Sequence, residues 1–367
     1  MLRRDAALQR RCPCAGRRLV ARQRIRGRDQ PGDPVNPATD YLSTHIYYNL
    51  QDLRPLLVQC IDPLVRRLRE EALISSYFFI RYWEGGAHVR LRLKPRTPEC
   101  AAAAQQQVDE AVGAFLRDQP SVFDLEPHLI QPLMKALFIS EYGAAAYDER
   151  YGEGGAIPLE PNNSWRSVPY VPETDRYGGL HGVALSEWHF EVSSDIALEL
   201  LCEGNHESRA NTLGLAIQMM LFFAWTFLGD TATLARFFRT YAGNFHGVSV
   251  TEGIQHDFDG KWGRQGERIV AQIRRLHDSH AHLSLPAGTA VGQLMRHAAK
   301  LRDEARVLFD AGRLDFRPPV DDFRAASARL LSSYLHMLNN RLGVLILEEI
   351  YMASMLARSI ESMAVAL

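Results

Sequence analysis

Several common signatures are missing from this chain. Its five cysteines (Cys12, Cys14, Cys60, Cys100, Cys202) are odd in number and scattered, which argues against a disulfide framework and suits a reducing compartment. Cys12-Pro13-Cys14 is too close a spacing for a common zinc knuckle, and no second pair follows it. A phosphate-binding glycine loop is lacking: Gly152-Glu153-Gly154-Gly155 has neither the lysine nor the strand-helix setting such a loop needs. No G-x-S-x-G elbow occurs, which removes the usual serine-hydrolase signature. The longest apolar run, Leu213 to Leu228, contains Gln218 and is short for a membrane span, so a buried helix is expected. The first residues lack a signal-peptide core, and the chain reads as cytoplasmic with no membrane partner.

Net charge is nearly absent too, at -1, but the balance is uneven. Residues 1 to 28 carry ten arginines against Asp5 alone, so the rest of the chain holds an excess of roughly ten acids. So acidic a body is a poor general binder of nucleic acid, and no direct nucleic-acid contact is expected. His277, His280 and His282 lack the i, i+4 pair of a zinc-protease helix and no carboxylate motif joins them. Neither metal nor cofactor is expected.

Residues 1–40 read as a disordered tail and linker, and 41–367 as one functional domain with an α+β part (41–190) and a mainly helical part (191–367). Within the first part, Thr44 to Leu50 predicts a strand and Asp52 to Leu73 a helix kinked near Pro63. Tyr77 to Trp83 and Ala87 to Leu93, joined through Gly85-Gly86, predict a hairpin, and Thr97 to Asp118 a helix. That order, β-α-β-β-α, is the order of a ferredoxin-like split βαβ unit, so the fold class is α+β. Residues 143 to 169 predict a long loop. Helices are expected over 194–203, 208–228, 231–241, 266–277, 290–311 and 325–362, the last broken in two.

Three segments carry chemistry. In the second hairpin strand, period two places His88, Arg90 and Arg92 on one face and Val89, Leu91 and Leu93 on the other. Such a face suits an anionic ligand, since Arg grips carboxylates in a bidentate fork, but spacing alone fits a solvated sheet face as well. Glu173 and Arg176 stand three apart before Gly178-Gly179, able to pair across a helical turn or simply to staple a loop. His336 lies in the apolar helical sequence Tyr334 to Arg341, as a core histidine or a proton carrier.

Taken in order, FFIRYWEGGAHVRLRL (78 to 93), YVPETDRYGG (170 to 179) and SSYLHMLNNRLG (332 to 343) resemble the C-terminal glutamate-elimination domain of class I, nisin-type lanthipeptide dehydratases. The same domain occurs as a separate protein in thiopeptide and related pathways. The resemblance spans roughly Tyr41 to the C-terminus. It implies a lyase that expels glutamate from glutamylated Ser or Thr of a ribosomally made precursor peptide, leaving dehydroalanine or dehydrobutyrine. It also implies a tRNA-dependent glutamylating dehydratase subunit as partner, with a homodimer as a candidate assembly. Residue by residue, the family's elimination residues match Arg90, Arg92, Glu173, Arg176 and His336. Departures are the insertion at 143 to 169, the Arg-rich leader, and Pro172 where relatives often carry a charge; these bear on peptide recognition more than on chemistry. Two other functions stay in view. One is a [4+2] pyridine synthase on the same scaffold, the other an inactive subunit that docks precursor or partner.

Overall fold

The computed structural model describes residues 40–50, 52–203, 208–243, 252–281 and 288–365. The Arg-rich segment with Cys12 and Cys14, His282, and the side chain of His280 lie outside the described residues.

The chain is α+β, a small antiparallel sheet against a helical majority. β1 (Leu42–Tyr47) leads into α1 (Arg54–Leu56), a π-helical turn (Leu57–Ile61) and α2 (Asp62–Glu70). The widened turn has a local cause. Pro63 has no N–H to close onto the carbonyl four residues back, and the N–H of Asp62 bonds instead to Leu57. β2 (Ile74–Tyr82) and β3 (His88–Pro95) form the expected hairpin, turning at Gly85 and Gly86 with φ +79° and +116°. α3 (Cys100–Asp118), α4 (Pro127–Tyr142), α5 (Ala144–Tyr151) and β4 (Ser164–Ser167) follow. The expected loop at 143 to 169 therefore needs correction: it holds a helix and the strand that pairs with β1. The remainder is α6 (Thr174–Tyr177), α7 (Gly179–Cys202), α8 (Arg209–Leu228), α9 (Thr231–Gly243), α10 (Glu252–Ala281), α11 (Ala290–Asp310), α12 (Phe323–Leu342) and α13 (Ile346–Val365).

The sheet order is β2-β3-β1-β4. Val89, Leu91 and Leu93 turn one way and are almost wholly buried; Arg92 lies opposite Phe78 and Ser43, and Arg90 opposite Ile80 and His45. The free edge of β2 is not left to solvent. Phe79 N–H donates to Ser194 Oγ on α7, and the Asn340 side chain on α12 takes the place of a neighbouring strand. It accepts from Arg81 N–H and donates to Arg81 C=O, both at 2.8 Å. α8 is long and apolar enough to cross a membrane, but its central Met219–Ala224 stretch is buried and it packs on α11 and α12 as a core helix.

Two buried histidine pairs lie in this core. His45 stacks on His88 at 5.0 Å, and His189 Nδ1 meets His297 Nε2 at 3.1 Å. Burial holds all four neutral: it lowers His45 to about 2, His88 to about 3 and His297 to about 3, and drives His189 well down. With folded values depressed below the unfolded value of about 6.5, their stability is fully present above that pH and is lost as pH falls. Glu141, Glu187 and Glu191, pushed up by burial, act the other way, but the four histidines outnumber them. Unfolding free energy is therefore expected to be level near neutrality and to fall between about pH 6.5 and about pH 5, by up to about 1.4 kcal/mol per pH unit for each proton taken up. Denaturant titrations across that range measure it, and a flat profile would contradict it.

Candidate active site

Five segments meet at one end of the sheet. β2 brings Phe78, Ile80 and Tyr82, β3 brings Arg92, α4 brings Leu137 and Glu141, the turn of α6 brings Glu173 and Arg176, and α12 brings His336. They enclose a cavity of about 140 Å³. The Asn340 clamp on β2 explains the place of His336, since residues four apart share a helix face and the clamp turns that face towards the strand.

Arg92 is the unusual member. Its guanidinium lies over the rings of Tyr170 (4.1 Å) and Phe78 (5.2 Å), and no hydrogen bond or ion pair joins it to any described residue; its Nε is buried without a partner. Burial lowers its pKa, the expected response of a cation taken from water without a counter-ion. Burial likewise brings Arg341, wholly inside the protein and also without a carboxylate, down to about 9, with Arg92 adding to the effect. Arg341 is held by Ser194 Oγ and the Met337 carbonyl, each at 3.0 Å. Two uncompensated guanidinium groups make this region strongly receptive to an anion.

Arg176 is braced instead. Its Nη1 donates to Glu173 Oε2 and its Nε to Ser333 Oγ, both at 3.0 Å. Gly178 and Gly179, both near φ +80°, end this short turn and start α7. A Cβ on Gly178 would meet the Phe316 ring at 2.9 Å. Gly178→Ala is thus expected to cost at least about 1–2 kcal/mol from the left-handed backbone alone. Thermal melts check it, and an unchanged midpoint would show that the turn can yield.

His336 Nδ1 lies 3.0 Å from Glu349 Oε2. Glu349 is buried, and it also accepts from Asn339 Nδ2 (2.8 Å) and from the Tyr241 hydroxyl. A carboxylate there favours the tautomer with the proton on Nδ1, leaving Nε2 as the basic nitrogen. Arg90 is placed differently from the other four candidates. It does not line the cavity but stacks behind Tyr82 at 3.4 Å, with Nε donating to His88 Nε2 and Nη2 3.6 Å from Glu84. Sequence reasoning missed Glu349 and Glu141. Glu141 is accepted into a phenolic pair: the Tyr82 hydroxyl approaches it at 3.4 Å and itself meets the Tyr142 hydroxyl at 2.8 Å. The cavity shares Glu141, Glu173 and Arg176 with a larger groove of about 950 Å³ walled by α9 and the start of α12.

Fold and cavity together define a class: an α+β protein whose sheet and helices close on an anion-receptive pocket beside a carboxylate-held histidine. The chain belongs to the lantibiotic biosynthesis dehydratase C-terminal family, which matches it over residues 42–360. Among solved structures it is similar to the pyridine synthase TbtD from thiomuracin biosynthesis, with a TM-score of 0.69 and 18% identity over 89% of this chain and 99% of that one. It is also similar to TsrL, with a TM-score of 0.58 and 17% identity over 88% and 94% of the two chains. The tRNA-dependent lantibiotic dehydratase MibB from Microbispora sp. 107891 aligns at 16% identity and a TM-score of 0.49, over 91% of this chain and 29% of that one. At these identities the likenesses speak to fold alone. No curated protein sequence matches the chain.

Proposed function

We propose that this protein is a lyase that removes glutamate from glutamylated Ser or Thr of a precursor peptide. The observation that carries the reading is Arg92, a half-buried cation whose Nε is buried and which has no hydrogen-bond or ion-pair partner among the described residues, in one cavity with Arg176 and the His336–Glu349 pair. In this reading the Cα–H bond of the esterified residue breaks and its proton passes to His336 Nε2. The electron pair forms the Cα=Cβ bond, the Cβ–O bond breaks, and glutamate leaves as a carboxylate. Arg92 and Arg176 face the charge that develops on the leaving group, where fixed cations in a water-poor site act most strongly. Glu173 holds Arg176 in place, Glu349 orients His336, and Arg90 is a positioning residue acting through Tyr82.

The groove beside the cavity would take the peptide, delivered by a glutamylating partner in the cytoplasm. We also treat 41–367 as one elimination-type domain, with 41–190 as its α+β part and 191–367 as its mainly helical part. Its sheet is read as a ferredoxin-like unit, because β1 and β2 run parallel with β3 between them. The pyridine-synthase alternative draws on the likeness to TbtD, but it gives no use to an unpartnered Arg92. The test is to incubate the purified protein with a glutamylated precursor and no nucleotide or tRNA. Free glutamate and a dehydrated residue are expected by mass spectrometry, and persistence of the adduct on a verified cognate peptide would refute the reading.

A further inference from the structure

The cavity has a second polar feature that expulsion of a carboxylate does not require. Glu141, near the C-terminal end of α4, lines both the cavity and the adjoining groove. It is largely buried, yet no Lys, Arg or His lies within ion-pair distance of it among the described residues. Its neighbours are the hydroxyls of Tyr82 and Tyr142, with the Arg176 and His336 charges further off. A carboxylate partly withdrawn from water and given only phenols is costly unless a cation completes it. Burial accordingly pushes its pKa up. Arg176, the cavity-wall cation that acts on it most, is already engaged by Glu173.

We propose that Glu141 recognises the ammonium group of the aminoacyl adduct, making it the residue that separates an α-amino acyl ester from a simple acyl ester. The inference rests on the elimination reading. Whichever carboxyl of glutamate forms the ester, the adduct carries one free carboxylate and one ammonium. Arg92 supplies an unpartnered positive charge and Glu141 an unpaired negative one on the wall of the same cavity. The complementarity is of charge type as well as of number: one anion-receptive and one cation-receptive wall for a zwitterionic group. The phenols matter because they satisfy part of the carboxylate without neutralising it. Tyr82 also ties Glu141 to the hairpin, since its hydroxyl reaches the carboxylate and Arg90 lies over its ring.

The test compares two precursor peptides esterified at the same Ser, one with glutamate and one with glutarate, which has the same carboxylates and no amine. Wild-type protein is expected to favour the glutamyl peptide in kcat/KM by about 10- to 100-fold, the scale of one hydrogen-bonded charge contact. In Glu141→Gln, which keeps shape and removes charge, that preference should collapse towards one. Calorimetry of the free product gives an independent reading: wild type should bind glutamate more tightly than glutarate, and Glu141→Gln should bind them alike. Equal loss on both substrates, or an undiminished preference for glutamate in the variant, would overturn the assignment. If wild-type protein converts neither ester, the elimination reading itself fails, whereas a wild type that converts both equally leaves that reading intact and removes only the role of Glu141.

Discussion

Arg92→Ala is expected to lower glutamate elimination by roughly 10²- to 10³-fold, the usual cost of deleting one preorganised charge-stabilising donor. The loss should fall on kcat at least as much as on KM, because the charge it meets is fullest as the carboxylate departs. Stability should not fall in parallel. Arg92 has no hydrogen bond or ion pair to lose among the described residues, only its contacts with the Tyr170 and Phe78 rings, and these are offset by removing a half-buried cation that lacks a counter-ion, so the variant should melt near wild type. Arg92→Lys should recover little of the rate, since a point charge on a flexible stem does not reproduce a planar fork. Glutamylated peptide should accumulate when the glutamylating partner is present. A variant that loses activity only because it unfolds would refute this account of Arg92, and circular dichroism with thermal melts separates the two cases.

The second large effect concerns the proton. His336→Ala should reduce elimination by roughly 10²- to 10⁴-fold, the range for a positioned general base. Glu349→Gln should produce a smaller loss, because the amide still fills the space but no longer fixes the ring nitrogen that carries the proton. The decisive quantity is their coupling. If Glu349 acts through His336, the double variant should be no slower than His336→Ala alone. Additive losses would show that Glu349 serves the fold through Tyr241 and Asn339 and does not position the histidine. Tyr241→Phe is the control for that structural part.

Much of this site could be read from the sequence because its signals are local. Alternation in β3 fixes which side chains share a face, and a spacing of three puts Glu173 beside Arg176 within one helical turn. Glu349 was hidden for a different reason. It lies thirteen residues from His336, across the break at Gly343, where φ of +76° ends α12 before α13 sets off against α9 and α10. The apolar run showed that a break was due, but not which residue would return to the histidine. Glu141 was hidden more deeply, because α4 carries Pro132 in its interior and exposes Leu129 and Leu133, so neither composition nor periodicity announces it. The same holds for β4, a four-residue strand that exists only because β1 offers it an edge. α7 begins at Gly179, well ahead of the expected 194. A helix buried on most sides has no polar stripe to mark its phase, and polar atoms such as His189 Nδ1 and Ser193 Oγ find partners inside the core.

If the Arg92 cavity expels a carboxylate, presenting the protein with two peptides in one vessel will show it. One is glutamylated on Ser and the other already dehydrated at the same positions, and both are followed by mass spectrometry over time. Glutamate is expected to leave the first peptide at a rate that falls with Arg92→Ala, while the second stays unchanged. Cyclisation of the dehydrated peptide with the glutamyl ester left intact would contradict it and assign the cavity to the pyridine-forming reaction instead.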